Sequence, residues 1–152
     1  MDELDLRILE ALRVDARRPY LELAKELGVS DATIHLRVKK MVEEGVIKGF
    51  TILIDHEKLG YGMTAFIEVQ VKPRTADETV SKLSSIDGVL EAHEIHGHCD
   101  ILLKVKAKGL AELRDKIVNQ IKKVEDIVSS KAYTVLKVAK EEHNLPIPTA
   151  MK

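Results

Sequence analysis

The chain has 152 residues, enough for one domain of average size or two small ones. Its 45% hydrophobic content can fill a core, and its 32% charged residues suit a surface exposed to water. No run approaches the about 18 apolar residues of a membrane span, and the acidic opening "MDELD" is unlike a secretory signal. The only cysteine, Cys99, excludes an intramolecular disulfide and suits a reducing cytoplasm, the location we predict.

The charge is balanced along the chain. Residues 1–50 hold nine Lys and Arg against ten Asp and Glu, and residues 51–152 hold fifteen of each kind. Because no domain is strongly basic, binding to a polyanion must depend on where individual charges are placed. Aromatic residues make up 3% and there is no Trp, which weighs against a surface that stacks bases or sugars.

Three helices are predicted in the first 50 residues. The first, over residues 2–15, has Asp2 as a suitable N-cap and carries an apolar stripe of Leu4, Ile8, Ala11 and Leu12. Pro19 cannot continue a helix but can begin the short second one. Gly28 then allows a left-handed turn, and Ser30 is a good N-cap for the third helix.

The hydrophobic period changes after Gly45. The run "VIKGFTILID" alternates, which predicts either a pair of strands or an extended hinge, and "HEKLGYG" is typical of a turn and loop. We therefore predict a helix-turn-helix domain over residues 1–50 and a hinge over residues 51–61. A second domain over 62–140 and a flexible or intersubunit tail over 141–152 follow.

The second domain shows a strand, helix, strand, strand, helix, strand order. The predicted elements are the strand "MTAFIEVQVK", a helix over 75–86, the strands "GVLEAHEIHG" and "CDILLKVKA" joined by a tight turn around Gly97, a helix over 109–122 and the strand "AYTVLKV". This is the split βαβ, ferredoxin-like pattern, so the fold class is α+β. Phe66 and Leu102 lie on the polar strand face, which suggests that the sheet packs against another copy.

The third helix has a buried stripe and an exposed basic arc. At about 100° per residue, Ile34, Val38 and Met41 share one side, and the outward side carries His35, Leu36, Lys39 and Lys40. A helix that enters the major groove needs small or neutral residues first and long basic side chains within reach of phosphates. The alternative is an ordinary solvated face, and Asp31, Glu43 and Glu44 predict weak binding by a single copy.

The run "DLRIL…DARRPYLELAKELGVSDATIHLRVKKMVEEGVIKGF" closely resembles the Lrp/AsnC (feast/famine) transcription regulators. Matching positions include Asp5, Ile8, Asp15 to Arg17, Leu23, Ala24, Leu27 to Ser30, Thr33, Arg37, Val38 and Gly45 to Ile47. The resemblance implies a winged-type helix-turn-helix domain before a ferredoxin-like effector domain. It implies that DNA is faced by Ser30, Thr33, His35, Leu36, Arg37 and Lys39, to which the exposed arc adds Lys40. Leu36 stands where many members of the family are polar or basic, and an apolar side chain there can contact a thymine methyl.

The run "HEIHGHCDILL" gathers possible metal ligands. His93, His96, His98 and Cys99 lie within seven residues, but no C-x-x-C or paired histidine motif of a structural zinc site accompanies them. In the predicted strand Cys99 lies on the same face as the apolar Ile101 and Leu103, and it is expected to pack as a small hydrophobe. A metal- or redox-responsive regulator using His96, His98 and Cys99 is the second hypothesis, although no metal site is predicted.

The resemblance also implies an effector pocket beside this turn, typically for an amino acid held between dimers. Gly97 and Asp100 match the family's Gly and the Asp three residues later, and His98 lies between them. Ser129 and Ser130, at the start of the last strand, complete the predicted pocket. A turn-capping carboxylate is the alternative role for Asp100.

Nothing in the chain predicts an enzyme or an RNA binder. There is no Ser/His/Asp grouping, no phosphate loop and no aromatic RNA-binding pattern. We therefore expect a regulator without a cofactor, whose partners are double-stranded DNA, a small effector and further copies of itself. A homodimer assembling into a tetramer or octamer is predicted, and no membrane association.

Overall fold

The computed structural model describes residues 1–148, which form two compact units. One contains Met1–Leu53 together with the described residues from Lys140 onward, and the other contains Ile54–Ala139. Within residues 1–148, no helix is both long and apolar enough to cross a membrane. Residues 149–152 of the predicted tail lie outside the described residues.

Three helices make up the first unit: α1 (Glu3–Val14), α2 (Tyr20–Leu27) and α3 (Asp31–Glu43). The predicted signals are confirmed. Asp2 caps α1, Pro19 directly precedes α2, Gly28 adopts φ 71° where α2 ends, and the Ser30 side chain caps α3. Each signal acts on backbone groups a few residues away, so it can be recognised without knowledge of the tertiary structure.

The three helices bury one apolar cluster. Its buried members are Ile8, Leu12, Leu23, Ala24, Ile34, Val38 and Met41. Complete burial of such a side chain contributes about 1.5–3 kcal/mol, so these residues hold the helices together far more strongly than helix propensity does. The predicted stripe of α3 is therefore its packing face, and the basic arc lies opposite.

The segment between the two domains contains no regular element. Residues 46–55 form neither helix nor strand, so the strand pair considered for "VIKGFTILID" is absent, and residues 56–60 form turns. Two apolar side chains in this segment, Ile52 and Leu53, are 73% and 78% exposed.

The second unit is a four-stranded antiparallel sheet with helices. Its strands are β1 (Met63–Val71), β2 (Val89–Glu94), β3 (Ile101–Ala107) and β4 (Ile127–Thr134). Helix α4 (Ala76–Ser84) lies between β1 and β2 in the chain. A second helical segment connects β3 to β4 and consists of α5 (Leu110–Glu112), a π-helical stretch (Leu113–Val118) and α6 (Asn119–Ile121). The strand order is β2-β3-β1-β4. This order, with both crossovers made by helices, confirms the ferredoxin-like prediction.

One face of the sheet is buried and the other is more exposed. The buried face presents Ala65, Ile67, Val69, Ile101, Leu103 and Val105 to Leu83 and to the helical segment after β3. Strand residues alternate between faces, so Phe66 and Glu68 of β1 lie on the opposite side, which we call the outer face.

Two local predictions were wrong. β2 and β3 are joined by a six-residue loop over residues 95–100 rather than a tight turn, and Gly97 does not adopt a positive φ. The last strand begins at Ile127, ahead of the predicted "AYTVLKV", and ends at Thr134. Its N-terminal half has two adjacent apolar residues followed by two serines, so it lacks the apolar alternation by which strands are recognised.

Candidate DNA-binding surface and effector pocket

The exposed arc of α3 carries the residues predicted to face DNA. Leu36 is 68% exposed, and the Lys39 and Lys40 side chains are 73% and 58% exposed. Each lysine has one long i,i+4 contact, Lys39 with Glu43 at 3.8 Å and Lys40 with Glu44 at 3.7 Å. Exposed pairs of this kind are worth at most about 1 kcal/mol, so both ammonium groups can turn to a phosphate at little cost.

The N-terminal turn of α3 is held by its own side chains. The Ser30 hydroxyl accepts a hydrogen bond from the Thr33 N–H at 3.1 Å, and the two hydroxyls lie 2.8 Å apart. The His35 ring packs edge-on against Tyr20 with centroids 4.7 Å apart, and its Nε2 lies 3.6 Å from Asp31. These contacts fix the end of the helix that would approach base edges first.

Arg37 differs from the other basic residues of α3. Its Nη1 donates to Oδ2 of Asp2 at 2.5 Å and to Oδ1 of Asp5 at 3.2 Å, both near the start of α1. Asp5 is only 4% exposed. Hydrogen bonds from the Asp5 backbone and then from Arg37 lower the pKa of Asp2, and the bond to Asp2 raises the pKa of Arg37. The guanidinium is therefore engaged within the protein.

A small cavity of about 260 Å³ opens on the outer face of the sheet. It is lined by Glu68, Gln70, His98, Cys99, Ser129 and Lys131. Two facing pairs across β1 and β4 form its floor: Glu68 opposite Lys131, and Gln70 opposite Ser129. The Ser129 hydroxyl donates to Gln70 Oε1 at 2.8 Å, and Gln70 Nε2 donates to the His98 carbonyl at 3.3 Å.

Of the predicted effector residues, His98 and Ser129 line this cavity and the other three do not. Asp100 Oδ2 accepts from the Val71 N–H at 2.8 Å, while its backbone bonds to Val69 and Ile95, so Asp100 ties the loop to β1. Ser130 lies opposite Val69, on the other side of the strand from Ser129. A Cβ added to Gly97 would meet nothing within 4 Å.

Four lining residues lie outside the predicted effector set: Glu68, Gln70, Lys131 and Cys99, the last of which was predicted only to pack as a small hydrophobe or, in the alternative, to bind a metal. A signal existed for the first two, because they alternate with the buried Ile67 and Val69 and so must point to the outer face. The position of Lys131 in the cavity depends on the register between β1 and β4, which residues far apart in sequence determine.

The Cys99 thiol is 5% exposed, which fits its predicted packing role. Burial and the nearby Glu68 carboxylate raise the pKa of this thiol.

The histidine-rich loop does not form a metal cluster in the described part of the chain. No three His, Cys, Asp or Glu side chains within residues 1–148 are grouped to hold a metal ion. His93 Nε2 instead lies 3.3 Å from Glu91 on β2. The hypothesis of a metal- or redox-responsive regulator thus gains no support from the fold.

Models of two protein families match the chain. An AsnC-type helix-turn-helix domain matches residues 1–42, and an Lrp/AsnC ligand binding domain matches residues 64–145. A helix-turn-helix unit followed by a ligand-binding sheet domain defines a class of DNA-binding transcriptional regulators. Within that class, the chain belongs to the Lrp/AsnC family.

Relatives match over nearly the whole length. The chain is 42% identical over 131 residues to the regulatory protein AsnC of Haemophilus influenzae, covering 86% of this chain and 87% of that protein. It is 37% identical to the HTH-type transcriptional regulator FL11 of Pyrococcus horikoshii, covering 97% of each. The solved structure of Escherichia coli AsnC superposes with a TM-score of 0.88 at 37% identity, covering 95% of this chain and 97% of that one. These relatives are transcriptional regulators rather than enzymes.

Proposed function

We propose that α3 is the recognition helix of a sequence-specific DNA-binding regulator acting in the cytoplasm. The observation that carries the proposal is the exposed arc of α3, on which Lys39 and Lys40 have only weak partners. In this proposal Ser30, Thr33, His35 and Leu36 approach base edges in the major groove. The two lysines then contact phosphates on either side.

The test is a gel shift at several salt concentrations, with a DNA fragment from upstream of the gene and a scrambled fragment of equal length. The variant K39A/K40A is compared with K122A/K123A, which removes the same charge from exposed positions of the second domain. In K39A/K40A, the loss of two phosphate contacts should make the negative slope of log K against log salt shallower by up to about 1.8. It should also weaken binding to both fragments. Equal affinities and slopes for the two variants would rule out the proposal.

We propose further that the outer-face cavity binds an α-amino acid as the effector. Glu68 and Lys131 face each other across two paired strands, which gives one anionic and one cationic group for the two charges of a zwitterion. At about 260 Å³ the cavity lies below the about 300–1,000 Å³ typical of drug-sized ligands, and it suits a small metabolite. His98 and Ser129 add polar contacts, while Gly97, Asp100 and Ser130 contribute through the shape of the loop and strand that carry them.

A thermal-shift screen of the twenty amino acids tests the effector. One or a few should raise the melting temperature of the wild type, because a ligand that binds the folded state stabilises it. The shift should disappear in E68Q and in K131M and persist in E125Q and K123M, which change the same charges at exposed positions away from the cavity. A shift that survives in E68Q and K131M would place the ligand elsewhere, and no shift with any amino acid would reject this ligand class.

We also propose that the outer face forms a dimer that assembles into a tetramer or octamer. Phe66 and Tyr133 are 38% and 49% exposed there and face each other across β1 and β4. Large apolar side chains on an open sheet face are typical of a contact with another molecule. A second copy on this face would also shield the cavity from water.

A further inference from the structure

Arg37 stands apart among the basic residues predicted to face DNA, because its ion-pair partners lie outside α3. Those partners, Asp2 and Asp5, are 35 and 32 residues away in sequence. His35, Lys39 and Lys40, by contrast, pair with carboxylates of the same helix or its C-cap. Arg37 is therefore the basic residue of α3 whose ion pairs connect this helix to α1.

The two carboxylates form a complete hydrogen-bonded unit with Arg37. Asp2 Oδ1 accepts from the Asp5 N–H, and Asp5 Oδ2 accepts from the Asp2 N–H, which closes the N-terminal cap of α1. The other oxygen of each carboxylate accepts from Arg37 Nη1. Each carboxylate thus uses one oxygen for the cap and one for the guanidinium, so the cap and the ion pair are coupled.

The burial of Asp5 makes this contact hard to give up. Its side chain is 6% exposed, and a carboxylate so far from water is costly unless it keeps a partner of opposite charge. If Arg37 turned outward to a DNA phosphate, Asp5 would lose its cation. The apolar contacts of Ile34, Val38 and Met41 hold α3 on the core but are non-directional. The Arg37 hydrogen bonds are directional, so they can fix the rotation of α3 about its axis.

We propose that Arg37 is a positioning residue, which sets the orientation of the recognition helix through Asp2 and Asp5 and does not itself contact DNA. The proposal rests on the proposed DNA binding by α3, and it revises the role predicted for Arg37. It also assigns a role in DNA recognition to two acidic residues at the start of α1. Acidic side chains near DNA ordinarily oppose binding. Removing the charges of Asp2 and Asp5 should therefore strengthen DNA binding if Arg37 contacts DNA directly, and weaken it if Arg37 positions α3.

The decisive variant is D2N/D5N, measured in the full chain. Asn is as good an N-cap as Asp, and both changes keep the shape of the side chain, so the cap of α1 can persist while the charge is lost. If Arg37 bound DNA directly, the loss of two negative charges and two competitors would tighten binding. If Arg37 positions α3, D2N/D5N should weaken specific binding about ten-fold, as R37Q should. The control E43Q/E44Q removes two charges from the other end of the helix and should not weaken binding.

The salt slope and a mutant cycle complete the test, with circular dichroism confirming that each variant is folded at the temperature used. If Arg37 is a positioning residue, R37Q keeps the wild-type slope of log K against log salt. If Arg37 contacts a phosphate, the negative slope becomes shallower by about 1 in R37Q. D2N/D5N combined with R37Q should bind no worse than R37Q alone, because the three residues act through one contact. Tighter binding by D2N/D5N, a shallower salt slope for R37Q, or additive losses of affinity in the combined variant would overturn the proposal. If K39A/K40A bound DNA as well as the wild type, the result would instead count against DNA binding by α3.

Discussion

Gly88 and Gly97 both flank β2, yet only Gly88 is required by its surroundings. Gly88 has φ 93°, and a Cβ there would lie 2.9 Å from the Lys106 carbonyl oxygen and 2.9 Å from Ile117 Cδ1. A left-handed conformation costs a non-glycine residue about 1–2 kcal/mol, and overpacking costs about 1–3 kcal/mol more. We expect G88A to lower the free energy of unfolding by about 2–5 kcal/mol in urea denaturation.

G97A is the matched control for G88A. Gly97 has open space around it and does not adopt a positive φ, so G97A should change the free energy of unfolding by less than about 0.5 kcal/mol. Similar losses in the two variants would show that the Gly88 contact is not what destabilises the domain. With folding unaffected, any effect of G97A on effector binding reports on the ligand alone.

Asp2 makes the stability of the helix-turn-helix unit depend on pH. Hydrogen bonds from the Asp5 backbone and then from Arg37 lower its pKa below the ordinary value of 3.8. A carboxyl whose pKa is lowered by folding stabilises the protein above its unfolded pKa, and this contribution is lost as the pH falls through the folded pKa. The difference in unfolding free energy between wild type and D2N should thus be constant above about pH 5 and shrink below about pH 4. Urea denaturation across this range measures it, and a constant difference down to pH 2 would contradict the assignment.

At the scale of the elements, α4 buries a hydroxyl without a partner. Thr79 is fully buried, and its Oγ1 has no hydrogen-bond partner among the described residues. A buried polar group left unsatisfied costs about 1–3 kcal/mol, and Val has nearly the same shape. We expect T79V to raise the free energy of unfolding by about 1 kcal/mol and the melting temperature by about 2–4 °C.

T75V provides the comparison of opposite sign. The Thr75 hydroxyl donates to the Lys72 carbonyl at 2.9 Å just before α4, so the same chemical change removes a hydrogen bond there. T75V should therefore leave stability unchanged or lower it. If T79V were destabilising as well, the Thr79 hydroxyl must be satisfied in solution.

The elements also show which features a sequence can predict. Asp2, Pro19, Gly28 and Ser30 were recognised because caps and turns depend on neighbours within a few residues. The basic arc of α3 followed from helical periodicity alone. The inward direction of Arg37 did not, because its partners lie on α1 and the packing of two helices decides which of them meet.

The lining of the outer-face cavity could be predicted only in part, for the same physical reason. His98 and Ser129 were identified through the resemblance, whereas Lys131 enters the cavity through the register of β4 against β1. Register depends on which apolar residues of distant strands share a buried face, and β4 has no fully buried residue. Asp100 holds the loop through the Val71 N–H of β1, 29 residues away in sequence, so its contact also depends on how distant segments pack and differs from a cap within its own turn.

For the whole molecule, a neutral chain with one modest basic helix needs more than one copy to hold DNA firmly. The net charge is −1, and α3 itself contains or is flanked by several acidic residues. Linking two modules can raise affinity by about 10²–10⁴ without any new contact. Two-fold symmetry would also place two recognition helices about one turn of DNA apart, as half-sites require.

F66E is the variant that tests this dependence. Phe66 lies on the outer face between Lys104 of β3 and Tyr133 of β4, so a carboxylate there would be buried in the proposed dimer. Sedimentation should show that F66E is monomeric, and its affinity for specific DNA should fall at least about 100-fold. L110E is the control, because it places the same charge on a 67% exposed leucine at the start of α5 and should change neither property. If F66E remained dimeric, the dimer interface would have to lie on another surface, such as the exposed apolar segment around Ile52 and Leu53. If F66E were monomeric and kept the DNA affinity of the wild type, one recognition helix would be sufficient for binding.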